Sequence, residues 1–125
     1  MLHLSRNFVP FIILMISHTF ILSIISLLEK AGREIMTVYR EGNFKTRLKE
    51  DNSPVTMADL ASDKIIKTGL AAITPGINVF SEETKEFSFS ERSGWDPLWI
   101  LDPLDGTKEF IARNDEFCIS LALVE

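Results

Sequence analysis

In the run Trp99-Ile100-Leu101-Asp102-Pro103-Leu104-Asp105-Gly106-Thr107, an apolar strand delivers two carboxylates into a turn. Pro103 fixes its own φ and biases Leu101 and Asp102 toward extended backbone. The turn can therefore aim both carboxylates and the Leu104 carbonyl at one place, and hard oxygen donors of that kind suit Mg2+. Gly106 has no Cβ, so a phosphate could approach the backbone closely. A helix starting at Thr107 would leave the N–H groups of Gly106 and Thr107 pointing outward, where they favour an anion. An ordinary capped turn explains the same residues, because Asp-Pro and Asp-Gly are common turn pairs.

A second acidic pair, Glu82-Glu83, also follows a strand end. Two strand ends carrying acids can converge at one edge of a sheet. Crowded carboxylates repel one another, so such a site is stable only with cations bound. Asp59 is the third element. Thr56-Met57-Ala58-Asp59 has the form of a capping box, with an acid in the first helical turn. Asp59 could also pair with the Thr107 hydroxyl so that the two orient an attacking water, and both roles can hold together. Asp105-Gly106-Thr107 has part of the haloacid-dehalogenase signature D-x-D-G-T, but the nucleophile position is Pro103, which cannot attack. The chain has no Gly-rich phosphate loop of the G-x-x-x-x-G-K-[ST] form. His3 and His18 lie outside the polar clusters, which argues against a catalytic or metal-binding histidine. With no usual nucleophile in view, direct attack by a metal-activated water is the simplest scheme.

The positioning elements are legible from periodicity. Phe20, Ile24, Leu27, Leu28, Ala31, Ile35 and Val38 recur every three or four positions, which predicts an amphipathic helix over about 19–41, stopped by Gly42. Residues 44–48 read as a short strand or arm, and Asp51-Asn52-Ser53-Pro54 as a turn. A helix is expected over 56–74, N-capped by Thr56 and ended by Pro75-Gly76, with Met57, Ala61 and Ile65 on one apolar stripe and Ile66, Leu70 and Ile73 on another. Strands are expected at 78–81 and 98–101, and a buried strand at 117–124. The polar stretch 85–96 reads as a loop or lid with room for a hairpin. Helices mixed with apolar strands indicate an α/β (α+β) layered domain.

Composition supplies outer bounds. The chain has 125 residues, 46% of them apolar and 25% charged, enough for one domain with a core. A net charge of −5 argues against broad binding to nucleic acid polymers. The lone Cys118 excludes an intrachain disulfide, fits a reducing compartment, and is expected to be a small core residue. Residues 8–28 carry no charge, a length that could span a bilayer, although Pro10, Ser17, His18, Thr19, Ser23 and Ser26 dilute the run. Residues 1–18 are expected to be an apolar extension ahead of a domain at 19–125. A cytoplasmic location is expected, with peripheral association with the inner membrane as the alternative. The chain ends directly on its last strand, which suggests a fragment whose C-terminal half is absent.

The segments Asp51-Asn52-Ser53-Pro54-Val55-Thr56-Met57-Ala58-Asp59, Phe80-Ser81-Glu82-Glu83 and Trp99 through Thr107 together resemble the inositol monophosphatase superfamily. Lys108-Glu109-Phe110-Ile111 after Asp105-Gly106-Thr107, with Ser53-Pro54, looks like its 3′(2′),5′-bisphosphate nucleotidase (CysQ-type) branch. The resemblance covers about residues 22–125. It implies an α-β-α-β-α sandwich of the inositol monophosphatase and fructose-1,6-bisphosphatase type, here truncated. It also implies dependence on two or more Mg2+ ions and inhibition by lithium. Glu82, Asp102, the Leu104 carbonyl and Asp105 would be metal ligands, with Glu83 acting through water or an additional metal. Asp59 and Thr107 would position the water, while Glu82 and residues Leu104, Asp105, Gly106 and Thr107 would contact the substrate. The implied reaction is hydrolysis of adenosine 3′(2′),5′-bisphosphate to AMP and phosphate, linked to sulfate assimilation. An inositol-1-phosphate phosphatase and an inactive remnant are the alternatives. The isolated 125-residue chain is expected to have little or no activity.

Overall fold

The structure, a computed structural model, describes residues 17–84 and 87–125. Its first helix, α1 (His18–Glu41), starts at the Ser17 cap and stops where Gly42 turns left-handed at φ 75°, its N–H returning to the Val38 carbonyl. The predicted stripe is the buried one, with Phe20, Leu27, Ala31, Ile35 and Val38 inward. Two-residue strands β1 (Arg47–Leu48) and β2 (Pro54–Val55) pair antiparallel around the Asp51–Ser53 turn. Helix α2 (Met57–Ile73) follows, capped by Thr56 as expected. After it come β3 (Asn78–Ser81), the single-turn α3 (Phe89–Arg92), β4 (Leu98–Asp105), α4 (Thr107–Ala112) and β5 (Cys118–Val124).

The sheet has the order β3-β4-β5, with β3 parallel and β5 antiparallel to β4. α1 and α2 pack together and cover one face of it: Phe20, Leu27, Ala31, Ile66, Leu70, Trp99 and Leu101 form one buried cluster. Gly69 lets the helices approach, since a Cβ there would lie 2.2 Å from Leu27 Cδ1. Trp99 closes the far end of this core, its indole N–H donating to Thr74 Oγ1 at 2.9 Å. A second cluster, Ile35, Val38, Tyr39, Ala58, Leu104 and Phe110, sits beneath the segments that carry the acids. The layers present are thus a helix pair on a mixed sheet, the α/β class that the pattern predicts.

Three expectations require correction. The Asp102–Asp105 segment is not a turn. β4 runs through it to Asp105, with a bulge: three steps from Asp102 to Asp105 on β4 oppose two from Ser120 to Cys118 on β5. Pro103, which cannot donate a ladder bond, sits within that irregularity, the position a proline tolerates inside a sheet. β5 is not fully buried. Among the described residues it pairs on one side only, with β4, and is covered on one face, so its residues alternate, and Cys118 is exposed rather than in the core. The 85–96 stretch holds a short helix instead of a hairpin among its described residues, because Ser88 and Glu91 form a local capping box. Residues 1–16 lie outside the described residues, and most of the proposed apolar extension lies there. Among the described residues no helix is long and apolar enough to cross a membrane.

Candidate metal and phosphate site

Because β3 and β4 are parallel and Ser81 pairs with Leu101, both strands deliver their C-terminal ends to the same edge. The Glu82 N–H donates to the Leu101 carbonyl at 3.0 Å, which carries the pairing one step further and brings Glu82 beside Asp102. The bulge then turns the chain so that Asp105, Gly106 and Thr107 face the same space. Glu82, Glu83, Asp102, Leu104, Asp105, Gly106 and Thr107 all line one cleft of about 290 Å³, together with Lys49 from the arm after β1. The expected site residues are therefore brought together, with Asp59 just behind them.

Asp59 is fully buried and used on both oxygens. Its Oδ2 accepts from the Thr56 N–H at 2.8 Å and the Thr56 hydroxyl at 2.6 Å, while Oδ1 accepts from Thr107 Oγ1 at 2.7 Å. Asp59 thus closes the capping box of α2 and also holds the Thr107 hydroxyl, the geometry that the water-orienting reading requires. Gly106 is the N-cap of α4, at φ 91°. A Cβ there would lie 2.6 Å from the Glu116 carbonyl oxygen, so the backbone at Gly106 presses directly on the 113–117 loop. That loop is tied to α1, since Arg113 Nη1 donates to the Tyr39 carbonyl at 2.7 Å and the Tyr39 hydroxyl donates to Asp115 at 2.6 Å. Gly106→Ala is accordingly expected to lower the unfolding free energy of the full-length protein by about 1–3 kcal/mol, read from the urea midpoint, through φ strain and overpacking together.

The electrostatics favour a cation. Burial pushes the Asp102 carboxyl above the ordinary carboxylate range, and the neighbouring charges of Asp105, Glu82 and Asp59 add to this against a hydrogen bond from the Leu104 N–H. Glu83 is also raised, by burial first, despite its ion pair with Lys49 at 2.8 Å. Burial lowers the Lys49 ammonium, but the hydrogen bond and charge of Glu83, with Asp59 and Glu82 behind, reverse this and leave it raised. For this pair the direction at Glu83 is set by burial and by the nearby acids. In this arrangement the acids line the cleft without meeting at a point: among the described residues no three Asp, Glu, His or Cys side chains form a ready-made metal-binding group. The donor set nevertheless fits a hard divalent cation, being all oxygen and negatively charged, with a backbone carbonyl at Leu104.

Sequence reasoning missed three partners. Lys49 falls in the charged stretch 45–51, between the predicted arm and the predicted turn, and its place opposite Glu83 depends on the β1–β2 pairing. Ser62 and Asp63 lie in α2 outside both predicted apolar stripes and were assigned no role. Their spacing from Asp59, three and four residues on, was the available signal that they share its face.

Residues 18–125 match the model of the Inositol monophosphatase family. A 3′(2′),5′-bisphosphate nucleotidase CysQ of Salmonella typhimurium is 46% identical over 100 residues, 79% of this chain and 40% of that protein. Among solved structures, CysQ from Bacteroides thetaiotaomicron is 39% identical with a TM-score of 0.64, over 89% of this chain and 40% of that one. An IMPase/NADP phosphatase complexed with Mg2+ and phosphate is 28% identical with a TM-score of 0.67, over 80% of this chain and 37% of that one. The chain belongs to the inositol monophosphatase family, and it spans about two fifths of the length of the curated relatives it matches.

Proposed function

We propose that the full-length protein is a Mg2+-dependent phosphomonoesterase that removes the 3′(2′)-phosphate from adenosine 3′(2′),5′-bisphosphate, yielding AMP and phosphate. The observation that carries this is a single cleft lined by Glu82, Asp102, Asp105 and the Thr107 hydroxyl, with that hydroxyl bonded to the buried Asp59. Similarity to CysQ nucleotidases supports the substrate class, and the all-oxygen donors support the metal. A role in sulfate assimilation follows from that substrate class as part of the same proposal.

Two or more Mg2+ ions held by Glu82, Asp102, Asp105 and the Leu104 carbonyl would supply positive charge to the phosphate and lower the pKa of water. The chain's own residues do the rest. The N–H groups at the start of α4 seat the phosphate oxygens; the missing Cβ at Gly106 makes room for the Glu116 carbonyl and not, as the sequence suggested, for the phosphate. The Thr107 hydroxyl donates its hydrogen bond to Asp59 and keeps its oxygen lone pairs free to accept from the attacking water. The Thr107 hydroxyl is committed to Asp59, the Ser53 hydroxyl to Asp51 and the cleft carboxylates to the cations, so attack by water is direct and in line, without a covalent enzyme intermediate.

The test is phosphate release by the full-length protein from adenosine 3′,5′-bisphosphate and from inositol 1-phosphate at saturating Mg2+. A kcat/KM at least about tenfold higher on the nucleotide, about 1.4 kcal/mol of discrimination, is expected. A preference for inositol 1-phosphate would transfer the assignment to that substrate, and turnover of neither would remove it.

A further inference from the structure

Three hydrogen bonds leave one face of α2 and end on three different segments of the site. Asp59, Ser62 and Asp63 lie at i, i+3 and i+4, the spacing that stacks side chains on one side of a helix. Asp59 reaches Thr107 at the start of α4. Ser62 Oγ donates to the Pro103 carbonyl at 2.8 Å, within the β4 bulge between the two aspartates. Asp63 Oδ1 accepts from Ser81 Oγ, at the end of β3. The same Ser81 oxygen accepts from the Glu83 N–H at 3.2 Å, so it grips the backbone of the acidic pair.

Ser62 and Ser81 are buried, and neither they nor Asp63 lines the cleft. Ser62 and Ser81 carry no charge and influence it through what they hold; Asp63 does so as well, and its charge also reaches Glu83, an effect that the variant Asp63→Asn separates. A bulge and a strand end are the places where a sheet no longer dictates direction, because ladder bonds stop there. Pro103 has no N–H to offer, so the Ser62 bond is a fixed point that α2 supplies to the bulge. Asp63 and Ser81 do the same for the turn that presents Glu82 and Glu83. The Asp63–Lys67 ion pair at 2.9 Å lies near the surface, where such pairs contribute little.

We propose that Ser62 and Asp63 are positioning residues for the cation-binding carboxylates: Ser62 aims Asp102 and Asp105 through the Pro103 carbonyl, and Asp63 aims Glu82 and Glu83 through Ser81. This rests on the cation-binding reading of the cleft. Groups that orient metal ligands typically affect metal affinity by about 10–100-fold when removed.

The experiment is titration calorimetry of the full-length protein with Mg2+ alone, with thermal melts in EDTA to register folding separately. Asp63→Asn keeps an oxygen that can accept from Ser81, and its Mg2+ Kd should stay within about twofold of the unaltered protein. Asp63→Leu has no acceptor, and its Kd should rise about tenfold or more; Ser62→Ala should behave likewise. If Asp63→Leu fails to melt cooperatively, Ser81→Ala removes the same bond from the other side and should show the same loss. A Kd for the leucine or Ser81→Ala variant within twofold of the unaltered protein would overturn the proposal. So would an asparagine variant as weak as the leucine one, since Asp63 would then act through charge. In both cases the unaltered protein still binds Mg2+ and the function stands. Absence of saturable Mg2+ binding by the unaltered protein would remove both.

Discussion

Asp105→Asn in the full-length protein is expected to reduce Mg2+-dependent phosphate release by at least about 100-fold, the upper end of what is lost even when only a ligand's supporting group is removed. Asn has nearly the same shape, so the substitution isolates the charge. Asp105 is exposed on the cleft side of the bulge, and among the described residues its carboxylate takes part in no hydrogen bond that the fold would miss. Its charge is one cause of the raised Asp102 carboxyl, so neutralising it relieves crowding. The variant should melt in EDTA no lower than the unaltered protein. The two should part company when Mg2+ is added. A ligand that binds only the folded state stabilises it by about 2.7 kcal/mol at 100 times its Kd. The unaltered protein should gain that increment and Asp105→Asn most of it should lose. Near-normal turnover by the variant would show that Asp105 is not a ligand.

Much of this was readable in advance, for reasons that differ by element. α1 and α2 carry strong local signals: a stripe at helical spacing, Gly42 as a left-handed stop, and Thr56 with Asp59 as a capping box. Local chemistry decides such features, so the chain alone reveals them. The gathering of Glu82 with Asp102 was inferable from two strands that end in acids, because a parallel pair must present both ends at one edge. The bulge was not inferable. Asp-Pro and Asp-Gly read as turn pairs, and only pairing with β5 keeps Asp102 to Asp105 extended. Burial of β5 was overstated for a related reason: an unbroken apolar run looks alike in a strand covered on both faces and in one covered on a single face, and the neighbours decide. Lys49, Ser62 and Asp63 escaped because each is ordinary at its own position. They acquire meaning from contacts between residues 18 to 41 positions apart along the chain.

Thr107→Val is expected to lower kcat by about 100-fold or more, within the range assigned to the loss of a positioned proton-transfer group, while Mg2+ affinity stays near that of the unaltered protein. Thr107 has one hydroxyl proton and two nearby acceptors, Asp59 Oδ1 at 2.7 Å and the Leu104 carbonyl at 3.2 Å. The shorter bond, to a carboxylate, takes it. That leaves the oxygen able only to accept from the cleft side, which is the polarity needed to draw a proton from water and turn its lone pair toward phosphorus. Val keeps the shape and removes the acceptor. It also leaves Asp59 Oδ1 buried without its donor, a stability cost of about 1–3 kcal/mol, so rates are to be compared per folded molecule. Asp59→Asn attacks the same unit from behind. The amide cannot accept from Thr56 and Thr107 on both ends, so the α2 cap weakens by about 1 kcal/mol and the Thr107 proton loses its fixed direction. Because the two residues act as one device, the double variant should be scarcely slower than the worse single one. Independent, multiplying losses would mean that Asp59 serves only as a helix cap, and that something other than this pair aims the water.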